Sequence, residues 1–121
     1  MIEPDRKIVM FGCGGHSRSV TDIILLRNPQ AELVFVDDNA RVNEKIYEFN
    51  VYREYTLGGE YVFFAIGDNK SRKNKFAEIG ENNLISIISP TAHLGFHSNI
   101  GKGCFVGNFC HIGPESVIVD A

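Results

Sequence analysis

The chain has 121 residues, of which 44% are hydrophobic and 22% are charged, and its formal net charge is −3 at pH 7. This composition is typical of a globular protein with one domain or two small ones, and it excludes a broad basic surface for nucleic acid. No apolar run approaches the ~18 residues that a membrane span needs, and the N-terminus carries no signal-peptide pattern. The three cysteines predict free thiols in a reducing cytoplasm, because their number is odd and no Cys-x-x-Cys metal motif accompanies them.

Four short apolar runs predict β-strands in the first ninety residues. These runs lie at residues 7–11, 32–36, 61–66 and 84–88. The residues between the second and third runs, 40–59, allow no clear assignment. Because helical patterns follow the first and third runs, the sequence predicts an α/β, Rossmann-like βαβ domain with a short, mostly parallel sheet.

Two further segments predict the helices of this domain. The first begins in the glycine-rich turn after the first strand and ends at Asn28-Pro29. Its apolar side is predicted to consist of Val20, Ile23, Ile24 and Leu26. The second helix is predicted from about residue 70 to residue 79, and its lysine- and arginine-rich side is interpreted as a solvated face.

Three turns rich in Gly, Asp and Asn follow the strands, at residues 12–17, 37–39 and 67–69. Ligands of open parallel sheets bind at these carboxyl ends. The first turn combines glycines with a helix N-terminus, which favours an anion such as phosphate. The pattern Gly12-x-Gly14-x-x-Ser17 lacks the third glycine of the dinucleotide fingerprint, so a phosphate-bearing ligand other than NAD is favoured. NAD binding and a purely structural strand-to-helix turn remain alternatives.

A hexapeptide repeat occupies the last third of the chain. Every sixth residue is a branched aliphatic: Ile88, Leu94, Ile100, Val106, Ile112 and Ile118. This period predicts a three-sided solenoid with one short strand per side and the aliphatic side chains stacked inside. Glycines follow four of these residues and are expected to supply the backbone freedom of the turns. Small residues four places after the aliphatics, among them Cys104 and Cys110, are expected to pack at the corners.

These features together resemble a known family. The segments GCGGHSRSV, FVDDN, AIGDNKSRK and ISPTAHLGFHSNIGKGCFVGNFCHIGPESVIVDA are similar to those of bacterial sugar acyltransferases, which include UDP-4-amino-sugar N-acetyltransferases and sialic-acid O-acetyltransferase-like proteins. The resemblance covers essentially the whole chain. It implies a nucleotide-sugar-binding Rossmann-like domain, assigned to residues 1–86, and the first, incomplete coils of a left-handed parallel β-helix at residues 87–121.

The resemblance also implies the partners and the site. The expected acyl donor is acetyl-CoA, the expected substrate is a nucleotide-activated sugar of bacterial surface-glycan biosynthesis, and the intact protein is expected to be a cytoplasmic homotrimer without a metal, a membrane span or a nucleic-acid partner. Family members place phosphates, uridine or sugar against three segments that match this sequence. The corresponding residues are Gly12, Gly14, Gly15, His16, Asp37, Asp38, Gly67, Asp68, Asn69 and Arg72.

In this family the catalytic histidine follows an Asn-Thr pair and precedes an acid, and it removes a proton from the attacking amine or hydroxyl. No residue of this sequence matches that pattern. By register that histidine is expected just after Ala121, so the chain is interpreted as a member cut off partway along its solenoid. His111 is the weak candidate for a base within it, whereas His93 and His97 are assigned to the surface. Three hypotheses stay open: an acetyltransferase, a non-catalytic nucleotide-sugar-binding module and an NAD-binding Rossmann protein.

Overall fold

The computed structural model describes residues 6–119. Asp120, interpreted from the sequence as a solvent-side repeat residue, lies outside the described residues. In chain order, the described elements are β1 (Ile8–Phe11), α1 (Gly15–Arg27), β2 (Leu33–Val36), β3 (Lys45–Ile46), β4 (Phe49–Tyr52), β5 (Tyr61–Phe64), α2 (Asn69–Ile79), β6 (Ile87–Ile88), β7 (His93–Leu94), β8 (Asn99–Ile100), β9 (Phe105–Val106), β10 (His111–Ile112) and β11 (Val117–Ile118).

The N-terminal part is a five-stranded sheet in the order β3-β4-β2-β1-β5. The pairs β1–β2, β1–β5 and β2–β4 are parallel, and only the edge pair β3–β4 is antiparallel. The strand runs β1, β2 and β5 are therefore confirmed, with ends one or two residues shorter than predicted. Their residues are almost all buried because helices cover both faces, as parallel sheets require.

Two apolar clusters cover the two faces of the sheet. The larger one joins the β1 and β2 residues Ile8, Met10 and Phe35 to the buried face of α1 and reaches into the C-terminal strands. The smaller one contains Val9 and Phe11 and packs against α2. The sheet thus separates an α1 side from an α2 side, and both sides end at the same carboxyl edge.

Helix α1 confirms three of its four predicted apolar positions. Val20, Ile23 and Ile24 are buried, but Leu26 is 64% exposed. Leu26 follows Ile24 by two residues, and two residues turn an α-helix through about 200°, so its side chain lies on the opposite side. The prediction for Leu26 was therefore wrong.

The unassigned residues 40–59 contain a short hairpin. Its strands β3 and β4 pair Ile46 with Phe49, so that only Tyr47 and Glu48 form the loop. Tyr47 has a φ of 53°, an unusual conformation for an aromatic residue. Strand β4 then adds to the sheet parallel to β2, and β3 runs antiparallel to β4, so the loop that ends at Glu44 lies near the carboxyl edge.

The predicted fourth strand, 84–88, does not form as one strand. Leu84 makes only an isolated parallel bridge to Val62, and the chain then leaves the sheet. Strand β6 at Ile87–Ile88 pairs instead with β9, eighteen residues later. That prediction was wrong because an apolar run does not distinguish a strand of the sheet from the first strand of the repeat.

The C-terminal strands pair at a constant offset of eighteen residues. Ile88 lies beside Val106, Leu94 beside Ile112, and Ile100 beside Ile118, all in parallel pairs. Six-residue steps between strands and eighteen-residue steps between partners give three sides per coil, as the repeat predicted. Burial along the aliphatic column is uneven: Val106 is 5% exposed, whereas Leu94 and Ile118 are 40% and 38% exposed. Each of these aliphatics has one stacked partner in the described coils, but Val106 lies on the β6–β9 side, whose neighbouring residues Ile87 and Phe105 pack with the sheet-domain cluster.

The repeat glycines do not provide the left-handed conformations of the corners. Those conformations fall two residues later, at His97, Gly103, Phe109 and Glu115, with φ from 59° to 74°. The expectation that the glycines after the aliphatics free the backbone was therefore wrong. At Gly95 the reason for glycine is close approach, because an added Cβ would collide with the backbone of Gly113 and Pro114.

The small residues at the corners also carry hydrogen bonds. The Ser86 hydroxyl donates to the carbonyl oxygen of Gly101, and the Cys104 thiol donates to that of Val119 at 3.1 Å. These two bonds are equivalent, one coil apart, and Cys104 is buried as predicted. Cys110, which was also expected to pack at a corner, is exposed.

The coils pack directly on the α1 side of the sheet. Ile87 belongs to the larger apolar cluster, and Phe105 packs against it. An Arg27 guanidinium nitrogen donates to the carbonyl oxygen of Ile88 at 3.1 Å. The end of α1 and the first strand of the repeat are thereby held together.

Candidate functional site

The carboxyl edge of the sheet brings the first two predicted turns together. The amide of Gly12 donates to the carbonyl oxygen of Val36 at 2.8 Å, and the amide of Cys13 donates to Asp37 Oδ2 at 3.1 Å. Asp37 Oδ1 accepts from the amide of Asn39 at 2.8 Å. Both carboxylate oxygens of Asp37 therefore organise the loops, whereas neighbouring Asp38 is exposed.

Helix α1 begins at this edge with no side chain capping its N-terminus. Its N-cap is Gly14, and its first turn contains no acidic residue. The Ser17 hydroxyl instead donates to the carbonyl oxygen of Gly14 at 2.6 Å. Free amides at a helix start, with the positive end of the helix dipole and no competing carboxylate on the first turn, favour a bound anion.

Four glycines of the edge differ in what the fold requires of them. Gly12 has a φ of 109°, and a Cβ there would lie 2.5 Å from the Ala65 carbonyl oxygen. Gly14, Gly15 and Gly67 have no positive φ, and a Cβ at any of them would have no atom within 4 Å. The fold therefore explains glycine at position 12 but not at the other three, which border open space.

A cavity of about 400 Å³ opens beside this edge on the α2 side of the sheet. Its volume is in the range of small-molecule sites. The predicted residues Gly12, Asp37 and Asp38 contribute to its wall. The remaining lining residues are Phe11, Val36, Asn39, Ile66, Ser71, Asn74, Lys75 and Glu78.

Lys75 is the fixed cation of this cavity wall. Its ammonium lies 3.2 Å from Glu78 Oε2 and 5.3 Å from the centre of the Phe11 ring. A cation over an aromatic face is held by the ring quadrupole. Ser71, Asn74, Lys75 and Glu78 recur at three- and four-residue spacing, so they form one stripe of α2. That spacing is the signal that could have identified them, and the interpretation of this helix as merely solvated missed it.

The third predicted turn is organised by its own side chains. Asp68 caps α2, because its Oδ2 accepts from the Ser71 amide at 2.8 Å, and this backbone hydrogen bond lowers the pKa of the exposed Asp68 carboxyl. The Arg72 guanidinium donates to the Ile66 carbonyl oxygen at 3.0 Å and to Asn69 Oδ1. Gly67, Asp68, Asn69 and Arg72 shape the turn and do not line the cavity.

The four histidines lie at three places, and His97 is exposed, as predicted, with its ring stacked on that of Phe96. His16, on the first turn of α1, is exposed and meets the ring of Phe105 edge-on, with centroids 5.4 Å apart. It thereby connects the glycine-rich turn to the coils. His93 and His111 lie on one outer side of the coils with their rings stacked 4.9 Å apart. Within residues 6–119, the imidazole rings of His93 and His111 form neither a hydrogen bond nor an ion pair with any carboxylate.

Residues 6–119 contain no group of three or more His, Cys, Asp or Glu side chains arranged to hold a metal ion. In the same part of the chain, neither helix has the length and apolarity needed to cross a membrane.

The sequence of the sheet domain matches a known family model. Residues 7–79, more than half of the chain, match the PglD N-terminal domain. The chain belongs to this family. The predicted resemblance to bacterial sugar acyltransferases is thereby confirmed, and three of the four segments that carried it, GCGGHSRSV, FVDDN and AIGDNKSRK, lie inside the matched range.

Solved structures of two acetyltransferases share the fold. The acetyltransferase domain of PglB from Neisseria gonorrhoeae is 25% identical with a TM-score of 0.83, over 96% of this chain and 60% of that one. A histidine-to-asparagine variant of perosamine N-acetyltransferase from Caulobacter crescentus, in complex with CoA and GDP-perosamine, is 28% identical with a TM-score of 0.74, over 94% of this chain and 57% of that one. The chain thus spans about three-fifths of these structures.

A viral protein also matches. Uncharacterized protein L142 of Acanthamoeba polyphaga mimivirus is 27% identical over 117 residues, which make up 93% of this chain and 24% of that protein. The match therefore covers a small part of a much longer polypeptide.

Proposed function

We propose that this chain supplies the nucleotide-sugar-binding part of an acetyltransferase that moves an acetyl group from acetyl-CoA to an amine or hydroxyl of a nucleotide-activated sugar. Family membership and the similar sugar acetyltransferases support this class of reaction. The substrate class is a UDP-4-amino-sugar or sialic-acid type compound of bacterial surface-glycan biosynthesis. The acceptor attacks the thioester carbonyl, loses its proton to a base, and CoA leaves as the thiol.

One observation carries the assignment of the binding site. Gly14, Gly15 and Gly67 border open space at the carboxyl edge, and nothing in the fold requires glycine there. Glycine at such a position allows a ligand to approach the backbone. The uncapped start of α1 provides the matching anion site, which favours a diphosphate. A purely structural turn would explain Gly12 but not these three.

The layers of the fold suggest how the ligand lies. The nucleoside occupies the cavity on the α2 side, beside Asp38 and the Lys75–Phe11 pair. The diphosphate crosses the edge at the amides that follow Gly14. The sugar then extends to the α1 side, where His16 meets Phe105 of the coils. This path leads the sugar to the coil surface, where acyl transfer would take place.

The coils are proposed as the start of a left-handed parallel β-helix that forms homotrimers, with acetyl-CoA between neighbouring subunits. The eighteen-residue pairing supports three sides per coil, and the similar structures include complexes with CoA and with acetyl-CoA. No described residue is assigned as the catalytic base. His111 stacks on His93 and makes no hydrogen bond or ion pair with a carboxylate of the described residues, so a nucleotide-sugar-binding module without transfer activity is the second candidate.

Isothermal titration of the purified chain with UDP, GDP, NAD⁺ and acetyl-CoA in parallel tests the binding assignment. A nucleoside diphosphate is expected to bind, and Gly14→Ala or Gly15→Ala is expected to raise its Kd by about tenfold or more, because a methyl group intrudes on the phosphate position. Gly113→Ala, in the coils, is the matched control and should bind normally. Selective binding of NAD⁺, or no binding of either diphosphate, would contradict the proposal.

A further inference from the structure

The glycine-rich turn is held from two directions at Cys13. Its amide donates to Asp37 Oδ2 at 3.1 Å, and its thiol donates to Glu44 Oε2 at 3.7 Å, a normal length for sulfur. Asp37 follows β2, and Glu44 precedes β3. Two acids from the two ends of the loop that joins β2 to β3 thus converge on Cys13, the residue that precedes the proposed diphosphate-binding amides.

Glu44 is itself held in place. Its other oxygen, Oε1, accepts from the Arg41 amide at 2.8 Å and lies 3.8 Å from Arg41 Nε, and its side chain is only 14% exposed. The backbone carbonyl of Glu44 also accepts from the Val51 amide at 3.0 Å, which ties it to β4. The carboxylate therefore has a fixed position from which to hold the thiol.

The thiol remains a donor at all ordinary pH values. Burial, followed by the hydrogen bond and charge of Asp37 and the charge and hydrogen bond of Glu44, raises the pKa of Cys13 to about 12. A thiolate has no proton to donate and would be repelled by both carboxylates, so the protonated thiol is the form that fits this position. A thiol kept protonated is a poor nucleophile, and the residue is thus suited to a structural hydrogen bond rather than to chemistry.

We propose that Cys13 and Glu44 form a positioning pair that orients the backbone amides at Gly14–His16 toward the diphosphate. This inference rests on the proposed binding of a nucleotide sugar. Asp37 accepts from the Cys13 amide, and its other carboxylate oxygen accepts from the Asn39 amide. Because both oxygens of Asp37 are used within the protein, Asp38 is the acid available to the ligand. Neither Cys13 nor Glu44 touches the ligand in this arrangement.

The test measures Kd for UDP and GDP in wild-type protein, Cys13→Ala, Cys13→Ser, Glu44→Ala and Glu44→Gln. Loss of one hydrogen bond that orients the turn is expected to weaken binding about five- to tenfold in Cys13→Ala and Glu44→Ala. Cys13→Ser, which keeps the donor, should restore binding to within about threefold. Glu44→Gln keeps one acceptor oxygen where Glu44 uses two, so its Kd is expected to fall between those of Glu44→Ala and wild type. Cys110→Ala, which removes an exposed thiol on the coils, is the matched control and should bind as wild type.

A second readout separates positioning from folding. In ¹H–¹⁵N spectra, Cys13→Ala is expected to move the amide signals of Gly14 and Gly15 while those of the sheet strands stay in place, and Cys13→Ser should move them back. If the alanine variants bind the diphosphates with wild-type affinity and keep the Gly14 and Gly15 amide signals unchanged, the positioning pair is overturned. The proposed function would still stand in that case, because wild-type protein binds the diphosphate. Absence of diphosphate binding to wild-type protein would overturn both.

Discussion

A Cβ added to Gly12 would lie 2.5 Å from the carbonyl oxygen of Ala65. The end of β1 and the segment after β5 are therefore in backbone contact at the point where the glycine-rich turn begins. Gly12 also has a φ of 109°, which L-residues rarely adopt. Gly12→Ala is expected to lower the free energy of unfolding by about 2–4 kcal/mol, since it adds backbone strain to a steric clash.

The neighbouring glycines are the matched controls for that experiment. Gly14→Ala and Gly15→Ala should change the free energy of unfolding by no more than about 0.5 kcal/mol, because a Cβ meets nothing at either position. Urea denaturation followed by circular dichroism measures all three variants. Equal destabilisation at positions 12 and 14 would show that the glycines serve the turn alone.

The three thiols are expected to react in a definite order. Cys110 is exposed, Cys104 is buried, and the pKa of Cys13 is raised to about 12 by burial and two acids. At pH 8, only about one Cys13 side chain in 10⁴ is a thiolate, and the thiolate is the reactive form. Limited alkylation with iodoacetamide, followed by peptide mass spectrometry, should label Cys110 first. Rapid labelling of Cys13 in native protein would contradict its placement between Asp37 and Glu44, and denaturant should equalise all three.

Stability at acidic pH should depend on the Tyr55–Glu60 pair. The Tyr55 hydroxyl donates to Glu60 Oε2 at 2.7 Å. Burial acts to raise the pKa of Glu60, but hydrogen bonds from the Gly58 amide and Tyr55 outweigh it and lower that pKa below its ordinary 4.5. A carboxyl with a depressed folded-state pKa stabilises the protein above 4.5, and this contribution is lost as the pH falls below it.

Tyr55→Phe is therefore expected to cost about 0.5–1 kcal/mol at pH 7 and progressively less below pH 4.5. Urea denaturation of both proteins between pH 3 and pH 7 measures the difference. A cost that stays constant over this range would mean that Tyr55 contributes through packing instead.

The left-handed corner at Glu115 offers a test of the coil geometry. Its φ is 61°, and its amide donates to the Phe96 carbonyl oxygen at 2.8 Å. Glu115→Gly keeps the amide and relieves the conformation, whereas Glu115→Ala keeps the strain. The glycine variant is expected to be about 0.5–1 kcal/mol more stable than the alanine variant in thermal denaturation. A less stable glycine variant would argue against a left-handed residue at this corner.

The buried corner at Cys104 should accept serine but not a larger residue. Ser86 occupies the equivalent position one coil earlier and makes the equivalent hydrogen bond. Cys104→Ser is expected to stay within about 1 kcal/mol of wild type, whereas Cys104→Leu should cost about 1–3 kcal/mol through overpacking. Chemical denaturation measures both variants, and a neutral leucine variant would contradict the tight corner.

The sequence predicted the elements whose signals are periodic or sharply bounded. The six-residue spacing of the aliphatics determined the eighteen-residue pairing, and the three buried strands were found from their apolar runs. The β3–β4 hairpin was missed because its two-residue loop, Tyr47-Glu48, lacks the Asn-Gly or Gly-x signature of such turns. Tertiary pairing of β4 with β2, and not local propensity, stabilises this segment.

The sequence predicted where the candidate site lies but not which role each of its residues has. The glycine-rich turn and Asp38 could be placed at the carboxyl edge from strand order alone. That Asp37 is engaged by the Cys13 amide, and that Asp68 caps α2, depends on side-chain geometry that no motif records. The three- and four-residue spacing of the polar stripe of α2 was visible in the sequence, but charged helix faces are usually solvated. Only the packing of α2 on the sheet shows that this stripe lines the cavity.

The constant offset between paired coil strands makes the C-terminal third sensitive to length in whole units. Deleting a single residue between Ile88 and Ile118 would shift every later side chain by one position in the six-residue pattern, so that aliphatics would face water and outward residues would face the interior. Gain or loss of eighteen residues at once would restore the same neighbours throughout. A change of six residues keeps the aliphatics inside but moves each later strand to the next side of the coil, so only a complete coil leaves every later side chain on its own side. Lengthening of this segment is therefore modular rather than gradual.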